Sequence, residues 1–457
     1  MLRRDVAEAV TGGTWLFLGN IVISVTGFVF WVVVARIAGI EAVGVATSVF
    51  SAATLFAILP SAGLNIAVMR EVAAEGFPAY GAALAVSVML GTVSALLAIP
   101  AVTVLGYGGF AGVAAALAAL SVASIATTQG LLGFERFSGF FTAVTAGSLA
   151  KLAVGVAAAL AGLGALSVLI GYLAYFLVAI AASLLIALTS AASPLRVRGL
   201  GTILKLTYSN YPFVISGQLI TMLNVYMFAY LVGEAPLTGI LYIAFMVMLT
   251  VFAVPNALIS ASLPIGIRRG SDPFSDTLRI SLGVVTPIVA LVLAAPAAIL
   301  HLINPALVTG SSALKILVLA IAPMTALIAG LMRLNKEGRM ADVAVLGAVR
   351  LALLVATLPI LAKSYGLEGA AASFLTANIA PLPLLIAKHG IRARELAITW
   401  STHALIALLS LAPIPTPVLA AASLVIATLV THLLKVLTLG EFIATAKAVV
   451  SLMLKRA

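Results

Sequence analysis

The chain contains no cysteine, which excludes disulfides, thiolate metal sites and cysteine nucleophiles. Charge is scarce: Asp, Glu, Lys and Arg make up 9% of 457 residues, against about 25% in an average soluble domain. Only two glutamines occur, Gln129 and Gln218. P-loop, zinc-helix and nucleophile-elbow motifs are missing, and the four histidines show no i, i+4 metal spacing. No connection between apolar runs exceeds roughly twenty residues, so a soluble catalytic domain has no room. These absences predict a protein that is not an enzyme and carries no metal or cofactor.

What is abundant is apolar: 63% of the chain, before its 38 glycines are counted. No soluble fold of this length hides so much apolar surface, so the composition predicts an integral membrane protein. A crossing helix needs about 20 mostly apolar residues. Fourteen runs qualify: 14–35, 43–69, 79–105, 111–133, 138–161, 165–189, 208–232, 236–263, 277–300, 312–332, 341–362, 366–387, 396–414 and 416–437. Pro413, Pro415 and Pro417 crowd the last turn, which leaves a count of twelve or thirteen open.

The formal charge of +11 tests this map. With a cytoplasmic N-terminus, twenty Lys and Arg fall on the inner side and three (Arg36, Lys315, Lys363) on the outer side. The positive-inside rule demands such a skew; the excess therefore reports topology and calls for no nucleic-acid partner. Both termini are expected in the cytoplasm of a cell-membrane protein. Residues 1–13 read as a short amphipathic lead-in helix; Asp5 and Glu8 argue against a removed signal peptide. Residues 440–457 read either as an interfacial amphipathic tail or as a solvated end.

An internal similarity at a shift of about 195–204 residues divides the first twelve spans into two sixes. Ala35-Arg36-Ile37-Ala38-Gly39 followed by Gly44 is matched by Ala229-Tyr230-Leu231-Val232-Gly233 followed by Gly239. Pro60 interrupts span 2 and Pro255 interrupts span 8. Gly162-Leu163-Gly164-Ala165 is matched by Gly366-Leu367-Glu368-Gly369-Ala370. Six crossings per repeat place both halves in the same orientation. The expected architecture is thus all-α and polytopic: about fourteen helices, in two parallel six-helix repeats (1–195 and 200–390), with two further helices and the tail in 391–457. Paired proline interruptions point to a transport site, with Pro60 and Pro255 as hinges; two ordinary kinks are the alternative.

Two cations remain well inside spans, Lys151 in span 5 and Arg350 in span 11. They lie roughly 20 Å and 14 Å from their helix ends at 1.5 Å per residue. The two spans are counterparts under the repeat, and intramembrane ionisable groups usually face a cavity or pathway. No acid falls within a span core, so the expected cavity suits an anion. Arg36 and Arg70 either extend it or anchor helix ends by snorkelling. Asn20, Asn65, Asn224 and Asn256 in spans 1, 2, 7 and 8 are either cargo contacts or helix–helix glue.

On Ala35 to Gly39 with Gly44, Leu59 to Asn65 with Arg70, Leu131-Leu132-Gly133-Phe134-Glu135-Arg136-Phe137 and Gly366 to Ala372, the chain resembles a Wzx-type flippase. These are oligosaccharide and polysaccharide exporters of the multidrug/oligosaccharidyl-lipid/polysaccharide (MOP) superfamily. The resemblance implies two six-helix bundles with spans 1, 2, 7 and 8 lining the portal. It implies a polyprenyl- or dolichyl-(pyro)phosphate-linked glycan as cargo, flipped to the outer leaflet by a monomer among membrane lipids. Many relatives carry a charged residue in span 7 near Asn224, which here is neutral. A multidrug antiporter of the same superfamily, a peptidoglycan-precursor flippase and a membrane-embedded glycan polymerase or ligase are the alternatives. The short outer loops argue against the last.

Overall fold

The computed structural model describes residues 2–189, 197, 199–209, 211–269, 274–390 and 393–433, and among these every regular element is a helix. The chain forms two compact units, residues 1–243 and 244–457. The first contains α1 (Leu2–Ile37), α2 (Gly39–Ser61), α3 (Leu64–Glu75), α4 (Phe77–Val104), α5 (Ala111–Gly133), α6 (Phe137–Leu160), α7 (Ala165–Leu188), α8 (Leu200–Ser209), α9 (Tyr211–Val232) and the start of α10 (Ala235–Arg269). The second contains the rest of α10, α11 (Phe274–Ala294), α12 (Pro296–Ile303), α13 (Ser311–Leu319), α14 (Ile321–Lys336), α15 (Met340–Ile379), α16 (Leu382–His389), α17 (Ala393–Leu409) and α18 (Thr416–Leu433).

Ten helical segments among the described residues are long and apolar enough to cross a membrane, and Leu219–Val232 and Thr416–His432 are shorter apolar helices. One of the ten, Met340–Lys388, carries two expected spans, because α15 turns at Gly366. The protein is an all-α polytopic membrane protein. The expected division at 195–200 lies largely outside the described residues, as does the tail 440–457.

Local sequence explains where helices break. The expected lead-in helix is continuous with span 1 in α1, since no proline separates them. Span 2 is divided: α2 ends one residue after Pro60, and Gly63, at φ +95°, opens α3. Span 8, by contrast, stays helical through Pro255, which corrects the expected interruption. A proline alone removes one backbone bond and kinks a helix. After Pro60 the chain turns because Gly63 takes up a left-handed conformation, whereas the residue three after Pro255 is Leu258. Span 9 divides at Ala295, before Pro296 at the start of α12.

The two halves share turn geometry. After α5, the N–H groups of Phe134, Glu135 and Arg136 donate to Gly130, Leu132 and Leu131 carbonyls. After α14, Glu337, Gly338 and Arg339 donate to Arg333, Asn335 and Leu334 in the same order. Glu135, at φ +59°, occupies the position Gly338 holds at φ +70°. Gly164 before α7 (φ +52°, ψ −126°) and Gly366 within α15 (φ +55°, ψ −125°) also match. The Leu131–Phe137 motif is therefore a packed turn. Gly133 has no room for a Cβ against Val72 and the Met69 carbonyl, and the Phe134 ring stacks on Phe77 at 4.8 Å.

Candidate functional site

The site in the first unit begins with a stripe on α6: Gly147, Lys151 and Gly155, spaced four apart and so on one helix face. The two glycines admit α7 closely. A Cβ at Gly147 would stand 2.8 Å from the Tyr175 carbonyl oxygen, and one at Gly155 would stand 3.2 Å from that of Ser167. On α7, a Cβ at Gly171 would stand 3.1 Å from the Lys151 carbonyl. Small residues are how membrane helices approach each other. Between the glycines the Lys151 side chain reaches α1, with its Nζ 3.7 Å from where a Gly27 Cβ would be.

The ammonium lies over three rings: Tyr172 at 5.0 Å, Phe30 at 5.6 Å and Tyr175 at 5.7 Å from the ring centroids. Lys151 is 3% exposed, and among the described residues it forms no hydrogen bond or ion pair. Behind this cage lies further aromatic packing. Trp31 Nε1 donates to the Tyr172 hydroxyl at 3.2 Å. The Tyr172 ring is 4.2 Å from Phe50, and Trp31 is 4.7 Å from Tyr242 at the start of α10. Cation–π contacts contribute about 2 kcal/mol or more when desolvated, whereas taking an ion out of water costs several kcal/mol. The rings thus compensate the charge only in part.

Arg350, in the second unit, is held differently. It is 7% exposed, and its guanidinium donates to Asn378 Oδ1 at 2.6 Å. Asn378 Nδ2 in turn donates to the Phe374 carbonyl at 2.7 Å, and Phe374 packs edge-on against Phe245 at 4.9 Å. The turn at Gly366 lets Arg350 and Asn378, 28 residues apart in α15, meet. Measured from matching turns, Lys151 lies fifteen residues after Arg136 and Arg350 eleven after Arg339. The two cations therefore occupy the same face of corresponding helices, one turn apart.

The other expected residues lie as follows. Arg36 is exposed in the last turn of α1, and Arg70 is exposed on α3. Asn20 is exposed on α1, Asn65 is half-buried in the first turn of α3, and Asn224 is fully buried in α9. Pro255 is buried in α10 beside half-buried Asn256, and half-buried Pro60 ends α2. No Asp or Glu among the described residues is buried. Sequence reasoning missed the cage and Asn378. Tyr172 and Tyr175, three apart in a largely aliphatic helix, and the glycines four residues either side of Lys151 were the available signals.

The fold and this buried cation define a class: polytopic helical membrane proteins with an intramembrane cationic site. Among solved structures, the chain is similar to the lipid II flippase MurJ in an inward closed conformation, with 12% identity, TM-score 0.68, and 91% of this chain and 98% of that one covered. It is similar to a MOP superfamily transporter from Pyrococcus furiosus, described as having a binding pocket of reverse polarity (15% identity, TM-score 0.54, 87% and 96%). It is also similar to the MATE multidrug transporter DinF-BH (16% identity, TM-score 0.56, 85% and 95%). The chain has the fold these transporters share; at such identities the likeness speaks to fold and not to cargo. No protein-family model matches the chain, and no curated protein matches it in sequence.

Proposed function

We propose that the protein is an alternating-access flippase that moves an anionic, lipid-linked oligosaccharide from the cytoplasmic to the outer leaflet of the cell membrane. The observation that carries this reading is Lys151: a buried intramembrane cation faced by three rings, with no carboxylate beside it among the described residues. A polyprenyl or dolichyl phosphate or pyrophosphate presents an anionic head on an apolar chain, which matches a cation buried among apolar helices. Lys151 supplies a point charge and Arg350 a planar fork. Arg36, Arg70, Asn20, Asn65, Asn224 and Asn256 are proposed as further contacts, and Pro60 and Pro255 as hinges. The proposed organisation is a Wzx-type monomer with bundles 1–195 and 200–390, a 391–457 appendage and both termini cytoplasmic.

The MurJ likeness supports a lipid-linked cargo, and a peptidoglycan precursor is the nearest variant of this reading. The MATE likeness favours a second reading, a multidrug antiporter. A cation-coupled exporter of cationic drugs calls for a buried carboxylate, and the described residues hold none. An inside-negative potential supplies about 2.3 kcal/mol per charge per 100 mV, enough to drive an anionic head outward without a coupling ion. The test is flipping of defined polyprenyl-phosphate glycans in proteoliposomes under an imposed potassium diffusion potential. Potential-stimulated flipping is expected; transport of cationic dyes driven by a proton or sodium gradient, with no glycan movement, would establish the antiporter instead.

A further inference from the structure

Tyr172 belongs to two networks at once. Of the three rings facing Lys151 it is the nearest, at 5.0 Å. Its hydroxyl also accepts the Trp31 indole N–H at 3.2 Å, and its ring packs against Phe50. Trp31 then contacts Tyr242, one residue before the chain passes from the first compact unit into the second within the continuous helix α10. An unbroken line of contacts therefore runs from the ammonium through Tyr172 and Trp31 to α10. It lies wholly in the first unit and uses residues from α1, α6, α7 and α10.

The energetics make this line a switch. The cage is the arrangement in which Lys151 has ring faces as its polar contacts among the described residues and its charge is met only in part. An oxyanion offers a stronger, charge-assisted contact, so an anion at Nζ competes with the rings, whose centroids stand 5.0–5.7 Å away, for the position of the ammonium. We propose that the Lys151 cage is the resting state of an oxyanion-sensing latch. Binding of a single phosphate group draws the ammonium off the rings, and Tyr172 passes the displacement to Trp31 and Tyr242. This rests on the reading of Lys151 as the anion contact and adds how occupancy reaches α10. Release of the cage then tells the transporter that cargo is seated.

Trp31 is one of three tryptophans, with Trp15 and Trp400, so a Trp15→Phe, Trp400→Phe chain reports on Trp31 alone. The full chain in neutral detergent is titrated with dodecyl phosphate, inorganic phosphate and dodecyltrimethylammonium. Bound probe is measured separately by equilibrium dialysis. The expected result is a saturable change in Trp31 emission that tracks bound phosphate and is absent with the cationic amphiphile. A response to dodecyl phosphate alone identifies a lipid headgroup as trigger; a response to inorganic phosphate as well identifies the phosphate group itself. Lys151→Met weakens phosphate binding roughly tenfold or more, and Lys151→Arg restores it. Tyr172→Phe, which keeps the ring and removes the hydroxyl, lowers the Trp31 response per bound anion. Phosphate binding that depends on Lys151 without any Trp31 response overturns the latch and leaves the transport reading standing. No binding in any arm overturns both.

Discussion

Gly44 of α2 and Gly239 of α10 cross backbone to backbone. A Cβ on Gly239 would stand 2.9 Å from the Gly44 nitrogen and from the Ile40 carbonyl, and a Cβ on Gly44 would collide with the Ala235 carbonyl. Gly44 follows Gly39 by five residues and Gly239 follows Gly233 by six, and Gly39 and Gly233 both take positive φ. Overpacking a tight contact costs about 1–3 kcal/mol, and here the obstacle is backbone, which yields less than a side chain. Gly44→Val is therefore expected to lower the melting temperature and folded yield in detergent. Gly112→Ala, on α5 with open space at its Cβ, is expected to hold or raise stability, because alanine favours a helix over glycine by about 1 kcal/mol. Equal melting temperatures for Gly44→Val and the parent chain would refute the crossing.

Lys151 is expected to matter for transport and not for folding. Replacing a buried charge with an apolar residue of similar length is often neutral or stabilising. Lys151→Met should melt at the same temperature as the parent or higher, yet lose glycan flipping in proteoliposomes by at least about tenfold. Lys151→Arg should retain part of the activity. A drop in stability with flipping intact would reassign the residue to structure.

Arg350 calls for the opposite comparison. Asn378→Leu takes away the oxygen that accepts from its guanidinium, and a hydrogen bond to a charged group contributes about 1.5–3 kcal/mol. The single variant should lower the melting temperature. An Arg350→Met, Asn378→Leu pair should recover much of it, since polar partners removed together leave no unmet need. If flipping returns with stability in the double variant, Arg350 serves the fold; if stability returns alone, it also serves cargo.

The break after Pro60 and the continuity through Pro255 give unequal predictions for the proposed hinges. Gly63 sits at φ +95°, a conformation that costs a side-chain-bearing residue roughly 1–2 kcal/mol. Gly63→Ala should slow flipping and lower stability. Pro255→Ala should leave the helix intact and at least as stable, because it restores a backbone donor inside α10. Comparable slowing of flipping by both substitutions would show that α10 hinges without a glycine.

Much of this fold was legible because lipid leaves few options: long apolar runs in hydrocarbon must be helices, and each of the fourteen expected spans is mostly helix as far as it is described. The glycines after spans 5 and 11 announced turns, but the geometry matches Gly366 to Gly164 and not to the expected Gly162, a register two residues off. Pro255 misled because proline marks a lost donor and not by itself a turn: Pro60 is followed by Gly63 at positive φ, and Pro255 by Asn256, Ala257 and Leu258. The site was half legible. Lys151 and Arg350 stood out as charges in apolar sequence, but their surroundings depend on helix approach. Phe30 is 121 residues from Lys151 in sequence, and only the small faces of Gly147, Gly155 and Gly171 bring their helices together. Asn378 resembled any polar glue until the Gly366 turn placed it on Arg350.

The matched turns after α5 and α14 differ at one position, Glu135 against Gly338, both with positive φ. Glu135 is exposed and adopts a backbone that glycine takes without steric penalty, so the turn after α5 carries a local strain that the turn after α14, with Gly338, does not. That makes Glu135→Gly, copied from the turn after α14, an opening for engineering a sturdier chain.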